Sequence, residues 1–301
     1  MANTNDLHVV LGGTGGVGSA VVRELVARGK QVRVVTHTQA QNLPAGVEFM
    51  AGDVSNSESA RAVSEGASVI YLCTNPAYNK WAELFPPMLK GAIAGASASN
   101  AKLVFADNLY VYAPTSKPMT EDLPYAPITR KGKVRVQMDE TLMAAHANGT
   151  VRAAIGRASN YYGPDAPNSN IGDRFFKALL AGKPVEWMGK LDLPHTLSFT
   201  DDFARGLVVL GERDEALGQA WHIPAADPVT GHEFIQLAGE VAGVQAKAQE
   251  VPELMLRALG LFNPIIRELV EMLYEFQEPY IMNSSKFQRA FGFTPTPHRQ
   301  A

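Results

Sequence analysis

The chain has 301 residues, 46 % of them hydrophobic and 19 % charged, enough apolar material for one large or two modest cores. Its 27 basic and 30 acidic residues leave a net charge of −3 without a basic block to neutralise a run of phosphates, which argues against nucleic acid as a partner. No apolar run approaches the roughly 18 residues of a membrane span, and Met1 to Asp6 are polar; a cytoplasmic protein with no membrane partner is expected.

A strand-like run, Leu7–Leu11, leads into Gly12-Gly13-Thr14-Gly15-Gly16-Val17-Gly18, after which Val21, Val22, Leu25 and Val26 recur with helical spacing. A side chain at Gly12 or Gly15 would obstruct the turn and the approach of a pyrophosphate, while Gly18 would let the helix pack on the strand. Thr14 adds a hydroxyl donor, and the free N–H groups and positive dipole end of the helix face the phosphates. Gly12, Thr14, Gly15, Val17 and Gly18 are therefore expected to hold a dinucleotide.

Further strand-like runs at Gln31–Thr36, Val47–Ala51, Ser68–Cys73, Lys102–Ala106 and Arg152–Ile155 alternate with helical patterns. This predicts an α/β fold, a Rossmann-type doubly wound parallel sheet, with the ligand outside the carboxyl ends of the strands where the strand order reverses. The second strand ends in Val34-Val35-Thr36-His37-Thr38-Gln39, with no carboxylate to select the free 2′-hydroxyl of NAD. His37, Thr38 and Arg33 can donate to a 2′-phosphate, so NADP is the expected cofactor, with NAD as the alternative. Cys73 has an apolar context that suits a buried strand end, and no metal site is expected.

At Gly163-Pro164-Asp165-Ala166-Pro167-Asn168 the texture changes to a loop, followed by short strands, helices and prolines. The expected division is a dinucleotide-binding domain over 1–163 and a smaller C-terminal substrate-binding lobe over 164–301, with about 197–211 returning to the first domain. Over Pro252–Glu278 a helix-rich stretch carries Leu254, Met255, Leu256, Leu259, Leu261, Phe262, Ile265, Ile266, Leu269, Met272, Leu273, Tyr274 and Phe276. It reads as core, as a dimer surface, or as an apolar lid over a substrate.

Five segments in order resemble the extended short-chain dehydrogenase/reductase family, which contains sugar-nucleotide epimerases and dehydratases. They are the glycine loop; Gly52-Asp53-Val54; Val104-Phe105-Ala106-Asp107-Asn108-Leu109-Tyr110-Val111-Tyr112; Gly156-Arg157-Ala158-Ser159-Asn160-Tyr161-Tyr162-Gly163-Pro164; and Phe199-Thr200-Asp201-Asp202-Phe203-Ala204. The resemblance implies that Asp53 meets the adenine with Val54 beside it. It places Cys73-Thr74-Asn75-Pro76 along the ribose and phosphates, so Thr74 and Asn75 join the cofactor set, and puts Ser159 near the nicotinamide amide. Asp53 could instead cap the following helix.

Members of that family use a Tyr, a Lys four residues later, and a Ser or Thr on the preceding strand. No tyrosine of this chain has a Lys four places on. Lys131-Gly132-Lys133-Val134-Arg135 puts Lys131 at the Tyr position and Arg135 at the Lys position, and Asn108 falls where the Ser or Thr belongs. Lys131, Arg135 and Asp139 share one helix face, with Val134, Met138, Leu142 and Ala145 on the buried side. Arg135 would push down the Lys131 pKa by like-charge repulsion and make it a proton donor. The Lys-x-x-x-Arg segment is similar to the isoflavone and phenylcoumaran reductase branch. The opposite reading is a solvated helix face on a non-catalytic, NmrA-like dinucleotide sensor.

In the sugar-nucleotide epimerases an Arg seven residues before the position of Asp202 grips the diphosphate; here that residue is His195, largely neutral at pH 7. Losing a charge-assisted contact costs on the order of 1.5–3 kcal/mol, which favours a small aromatic or apolar carbonyl compound over a nucleotide sugar. Tyr110, Asn160, His195 and Trp81 are the expected substrate contacts. The expected activity is reduction of a carbonyl or conjugated double bond by NADPH, with a homodimer as the expected assembly. An NAD-retaining epimerase or dehydratase is a further alternative.

Overall fold

The computed structural model describes residues 6–37 and 43–301. Strand and helix alternate through the first half: β1 (Leu7–Leu11), α1 (Gly16–Ala27), β2 (Gln31–Thr36), β3 (Glu48–Ala51), α2 (Ser57–Ser64), β4 (Ala67–Leu72), α3 (Trp81–Ala98), β5 (Lys102–Asn108), α4 (Arg130–Ala147) and β6 (Arg152–Ala158). Elements shorten after that: β7 (Asn160–Tyr162), α5 (Asp173–Leu180), β8 (Val185–Met188), β9 (Leu197–Phe199), α6 (Thr200–Glu212), β10 (Ala220–His222), α7 (Gly231–Ala242), β11 (Ala248–Val251), α8 (Glu253–Gly260), α9 (Pro264–Val270) and α10 (Ser285–Phe291).

Seven parallel strands form one sheet in the order β10-β6-β5-β4-β1-β2-β3. The order reverses between β1 and β4, which puts the crevice for a ligand at their carboxyl ends, as the doubly wound reading anticipated. Alternation along the strands divides the core. Val9 and Leu11 face α3 and α4 through Phe85, Leu89, Met138 and Leu142, whereas Val10 faces α1 and α6 through Val21, Leu25, Leu207 and Leu210. Each such side chain stabilises the fold by about 1.5–3 kcal/mol on burial. The seventh strand, β10, was not legible as a strand: three residues are too few for a period.

Caps fix where the helices that carry the site begin. The Thr129 hydroxyl accepts from the Gly132 N–H at 2.9 Å and starts α4 one residue before Arg130. Asn56, not Asp53, caps α2, accepting from Glu58 and Ser59 N–H.

Outside the seven-stranded sheet the described residues form two parallel strand pairs, β7 with β9 and β8 with β11. A separate apolar cluster there joins Tyr162, Phe175, Trp187, Leu197 and Phe234. From β9 the chain passes straight into α6, which lies against α1. The tail follows α6 back, the Thr296 hydroxyl and N–H donating to Asp202 at 2.9 and 2.6 Å.

Candidate functional site

Gly12 sits at φ +83°, and a Cβ there would lie 2.9 Å from the Thr74 backbone. At Gly18 a Cβ would come within 2.1 Å of the Gly12 carbonyl oxygen, so the third glycine lets α1 start directly beneath the turn. Gly15 differs: its added Cβ would meet only the Gly12 oxygen at 3.6 Å, and its outer side, with Thr14, is exposed. The N–H groups that open α1, those of Val17 and Gly18 among them, have no earlier turn to bond to and make a cradle for an anion. Arg23 holds the loop after Gly163 over this end, pairing with Asp165 at 2.5 Å and Asp201 at 2.6 Å.

Beside it, the Thr74 Oγ1 is buried with no hydrogen-bond partner, and so is the Ser159 Oγ. Two orphaned hydroxyls on the carboxyl edge of the sheet fit a polar ligand that completes them. Asn75 is exposed next to Thr74. Val54 is buried, and Gly91 of α3 makes room for its carbonyl, which a Cβ would meet at 1.8 Å.

Beyond the end of β3, Asp53 accepts from the Ser55 N–H at 2.8 Å and hydroxyl at 2.6 Å; the Ser55 bond holds its carboxyl below the usual value. Its side chain remains about half exposed, with the His37 Nε2 at 3.8 Å. Arg33 does not reach this end. It pairs with Glu48 at 3.0 Å and donates to the Val63 and Glu65 carbonyls, because the side chain leaves mid-strand toward the end of α2. Thr38 lies outside the described residues.

The face carrying Lys131, Arg135 and Asp139 is buried, not solvated. Lys131 Nζ pairs with Glu268 and, at 3.0 Å, with Glu271, both from the α9 region, and lies 4.5 Å from the centre of the Tyr78 ring. Arg135 turns to the opposite wall, its guanidinium 4.6 and 4.2 Å from the Trp81 and Phe85 rings and 3.4 Å from Asp107. The charges closest to Lys131 are thus carboxylates, and the expected repulsion by Arg135 is replaced by attraction. The Asn108 side-chain oxygen accepts from the Tyr110 N–H at 3.1 Å, which leaves its amide nitrogen as the donor.

Behind these side chains lies a network absent from the sequence reading. Arg157, fully buried, donates to Asp107 at 3.2 Å, to the Tyr112 and Tyr125 hydroxyls at 2.5 Å each, and to Asp139. Burial and the neighbouring Asp139 charge push the Asp107 carboxyl up. Tyr112 in turn meets His222 Nε2 at 2.9 Å, and burial pushes His222 down to about 3.

Asn160 and His195 come together, the Asn160 amide donating to His195 Nε2 at 3.0 Å. His195 stacks between Phe276 and Tyr280 at 5.0 and 5.1 Å, and burial lowers its pKa to about 3, so it is neutral. Tyr110 lies beside them, its hydroxyl 3.2 Å from that of Tyr78. Trp81 is buried among Tyr78, Phe85 and Tyr110 and donates to the Pro76 carbonyl; it backs the wall rather than lining it.

The residue missed in this region is Glu275. Its carboxyl is buried, accepts from the Asn160 amide at 2.8 Å, and is pushed up to about 8 by burial. No motif surrounds it, and its partner is 115 residues away. Of the helix-rich stretch, Leu256, Met272, Leu273 and Phe276 are buried, whereas Leu254, Leu261 and Phe262 are largely exposed. Among the described residues no three His, Cys, Asp or Glu side chains are placed to hold a metal, and no helix is long and apolar enough to cross a membrane.

Residues 8–223 match the NAD dependent epimerase/dehydratase family. The decarboxylating sterol-4-alpha-carboxylate 3-dehydrogenase of Mus musculus is 25 % identical, covering 97 % of this chain and 89 % of its own. The dTDP-6-deoxy-L-talose 4-dehydrogenase (NAD(P)(+)) of Kitasatospora kifunensis is 25 % identical over 81 % of both chains. Among solved structures, UDP-N-acetylglucosamine 4-epimerase from Bacillus cereus superposes with a TM-score of 0.78 at 16 % identity, covering 98 % of this chain and 93 % of the other. The UDP-glucuronic acid 4-epimerase of the same organism, solved with UDP-glucuronic acid and NAD, gives 0.76 at 18 % identity, over 96 % and 94 %.

Proposed function

The chain belongs to the NAD dependent epimerase/dehydratase family, and on that premise we propose that it is an NAD(P)H-dependent oxidoreductase reducing a carbonyl or conjugated double bond of a small aromatic or apolar substrate. The observation that carries the substrate class is the absence, among the described residues around Asn160 and His195, of an uncommitted cation. His195 is neutral, Lys131 is held by two carboxylates, and the charge of Arg135 is balanced by Asp107 at 3.4 Å although its Nε and Nη1 make no hydrogen bond, so a nucleotide diphosphate would meet no unbalanced counter-charge.

The proposed cofactor site runs from Gly12, Thr14, Gly15, Val17 and Gly18 through Thr74 and Asn75 to Ser159, with Asp53 and Val54 at the adenine. The orphaned Thr74 and Ser159 hydroxyls support it. The proposed dinucleotide is NADP, with Thr38 and His37 as the 2′-phosphate donors and Arg33 taking no part, since it is bound to Glu48 and the end of α2. Replacing His37 by Asp should weaken NADPH binding selectively.

When bound, the reduced dinucleotide supplies a hydride to the electrophilic carbon of the substrate. The chain's own part is to orient the substrate oxygen through the Asn108 amide and to provide its proton from Lys131 Nζ. Glu268 and Glu271 fix the ammonium and exclude water, and Arg135 is the proposed ribose donor. Pairing of two copies through the outer face of α4 is the proposed assembly, to be read by sedimentation.

The burial of Lys131 under two carboxylates supports a second reading, a dinucleotide sensor without turnover. Oxidation of NADPH and NADH against aromatic and aliphatic aldehydes, ketones and enones separates the two, with Lys131→Ala alongside. The reductase reading expects turnover that falls about 10²–10⁴-fold in the variant with dinucleotide affinity retained. Wild-type turnover in the variant removes Lys131 from the mechanism; silence across the panel with dinucleotide still bound favours the sensor.

A further inference from the structure

Glu275 is a buried carboxyl whose polar partners are neutral. The Asn160 amide donates to it at 2.8 Å, the Tyr110 hydroxyl helps to lower its carboxyl against the rise from burial, and among the described residues no basic side chain pairs with it. Around it stand Tyr78 and Tyr110, joined hydroxyl to hydroxyl at 3.2 Å, and Tyr274 and Tyr280, with ring centres 6.5 Å apart. Burial and the Glu275 charge together push all four hydroxyls up from the ordinary tyrosine value. These rings already accommodate one ammonium, that of Lys131, 4.5 Å from the centre of Tyr78.

A desolvated carboxyl without a cation is costly as an anion, and aromatic faces attract a positive charge rather than a negative one. An organic ammonium answers both conditions: it supplies the missing counter-charge and takes up the ring quadrupoles. A hydroxyl would satisfy only the hydrogen bond, and a carboxylate or phosphate would add a second uncompensated charge.

We propose that Glu275, within the ring of Tyr78, Tyr110, Tyr274 and Tyr280, is a specificity-determining residue that selects substrates bearing a protonated amine. The inference rests on placing the substrate beside Asn160 and His195, as in the function proposed above, and adds the class of substrate. Its acid form at neutral pH is the resting state of a carboxyl waiting for that cation. Binding transfers no covalent group; the carboxyl releases its proton to solvent as the ammonium arrives.

Isothermal titration of the full chain with cyclohexylamine, cyclohexanol and cyclohexanecarboxylate, with and without NADP, tests this. The amine should bind at least about tenfold more tightly than the alcohol, with the carboxylate weakest. Glu275→Gln should bring the amine to the level of the alcohol while changing the alcohol by less than about threefold. Tyr78→Leu, which leaves the carboxyl in place, should weaken the amine alone. The proposal is overturned by an amine that binds no better than the alcohol, by no binding of any of the three, or by a preference that survives in folded Glu275→Gln. Cyclohexanone reduction by NADPH, assayed in parallel, keeps the two readings apart: failure of reduction with the amine preference intact sinks only the reductase, and the converse sinks only the ammonium site.

Discussion

Glu271 stands 3.0 Å from the Lys131 ammonium, so a carboxylate from the C-terminal segment covers the first turn of α4. The Glu268 carboxylate shares the same ammonium, and Arg130 draws on both acids, at 3.0 Å for Glu268 and 3.6 Å for Glu271. Four charges from two distant stretches of chain thereby pin α9 onto the start of α4. Removing both carboxylates as Glu268→Gln/Glu271→Gln should leave the buried lysine unpaired, a change of about 3–5 kcal/mol if α9 keeps its place. A loosened α9 would instead let the lysine hydrate. Hydrogen exchange should therefore rise over residues 264–272 while β1, β4 and β5 keep their protection, with either single substitution giving the smaller effect. Unchanged exchange there would show that apolar contacts hold the segment.

Arg157 ties together two carboxylates that have no exposed surface, Asp107 and Asp139. Arg157→Met leaves Asp139 without a cation and Asp107 with only Arg135 at 3.4 Å, so stability should fall by about 3–5 kcal/mol in urea unfolding. Arg157→Lys should recover little, because a single ammonium cannot reproduce the fork that serves Asp107, Asp139, Tyr112 and Tyr125 at once. A loss below about 1 kcal/mol in the methionine variant would mean that the acids take up protons without strain.

The protonation of Glu275 shapes stability in a defined direction. Unfolded, its carboxyl titrates near the ordinary 4.5; folded, burial holds the proton up to about 8. Between those values the folded chain binds the extra proton, so stability declines as pH rises across the window. His195 acts from the acid side: ordinarily near 6.5 and about 3 when folded, it makes stability decline as pH falls from about 6.5 toward 3. Subtracting Glu275→Gln from wild type cancels the histidine and isolates the glutamate. The stability difference in favour of wild type should shrink steadily from about pH 5 to pH 8 and then level off, and a flat difference would show that Glu275 is ionised throughout.

What the sequence made legible is what local spacing encodes. The strand, the glycines at 12, 15 and 18 and the following helix lie within about twenty residues, and β-strand alternation with helices fixes the sheet. The lysine at 131 was legible only through its alignment with a family pattern. Its partners were not, because Glu268 and Glu271 are 137 and 140 residues further on, one in the short helix α9 and one in the turn that follows it. Arg33 shows the converse failure: its place in β2 suggested a phosphate, but a side chain three residues short of the strand end meets Glu48 and the end of α2 instead.

The glycine loop separates folding from binding at two positions. At Gly18 an added methyl would overlap the Gly12 carbonyl at 2.1 Å, and the obstruction is backbone that cannot swing aside, so Gly18→Ala should lower the unfolding midpoint whether or not a dinucleotide is present. At Gly15 the same methyl finds its nearest neighbour at 3.6 Å and projects toward the exposed outer side of the turn. Gly15→Ala should therefore fold with wild-type stability in the absence of ligand. The methyl would occupy the space that lets a pyrophosphate approach the N–H groups of α1, and dinucleotide affinity should fall by at least about tenfold. Thermal unfolding with and without NADP reads both effects together: the ligand-induced rise should shrink in Gly15→Ala and persist, from a lower starting point, in any Gly18→Ala that folds. Equal ligand-induced rises in Gly15→Ala and wild type would move the phosphate site away from this loop.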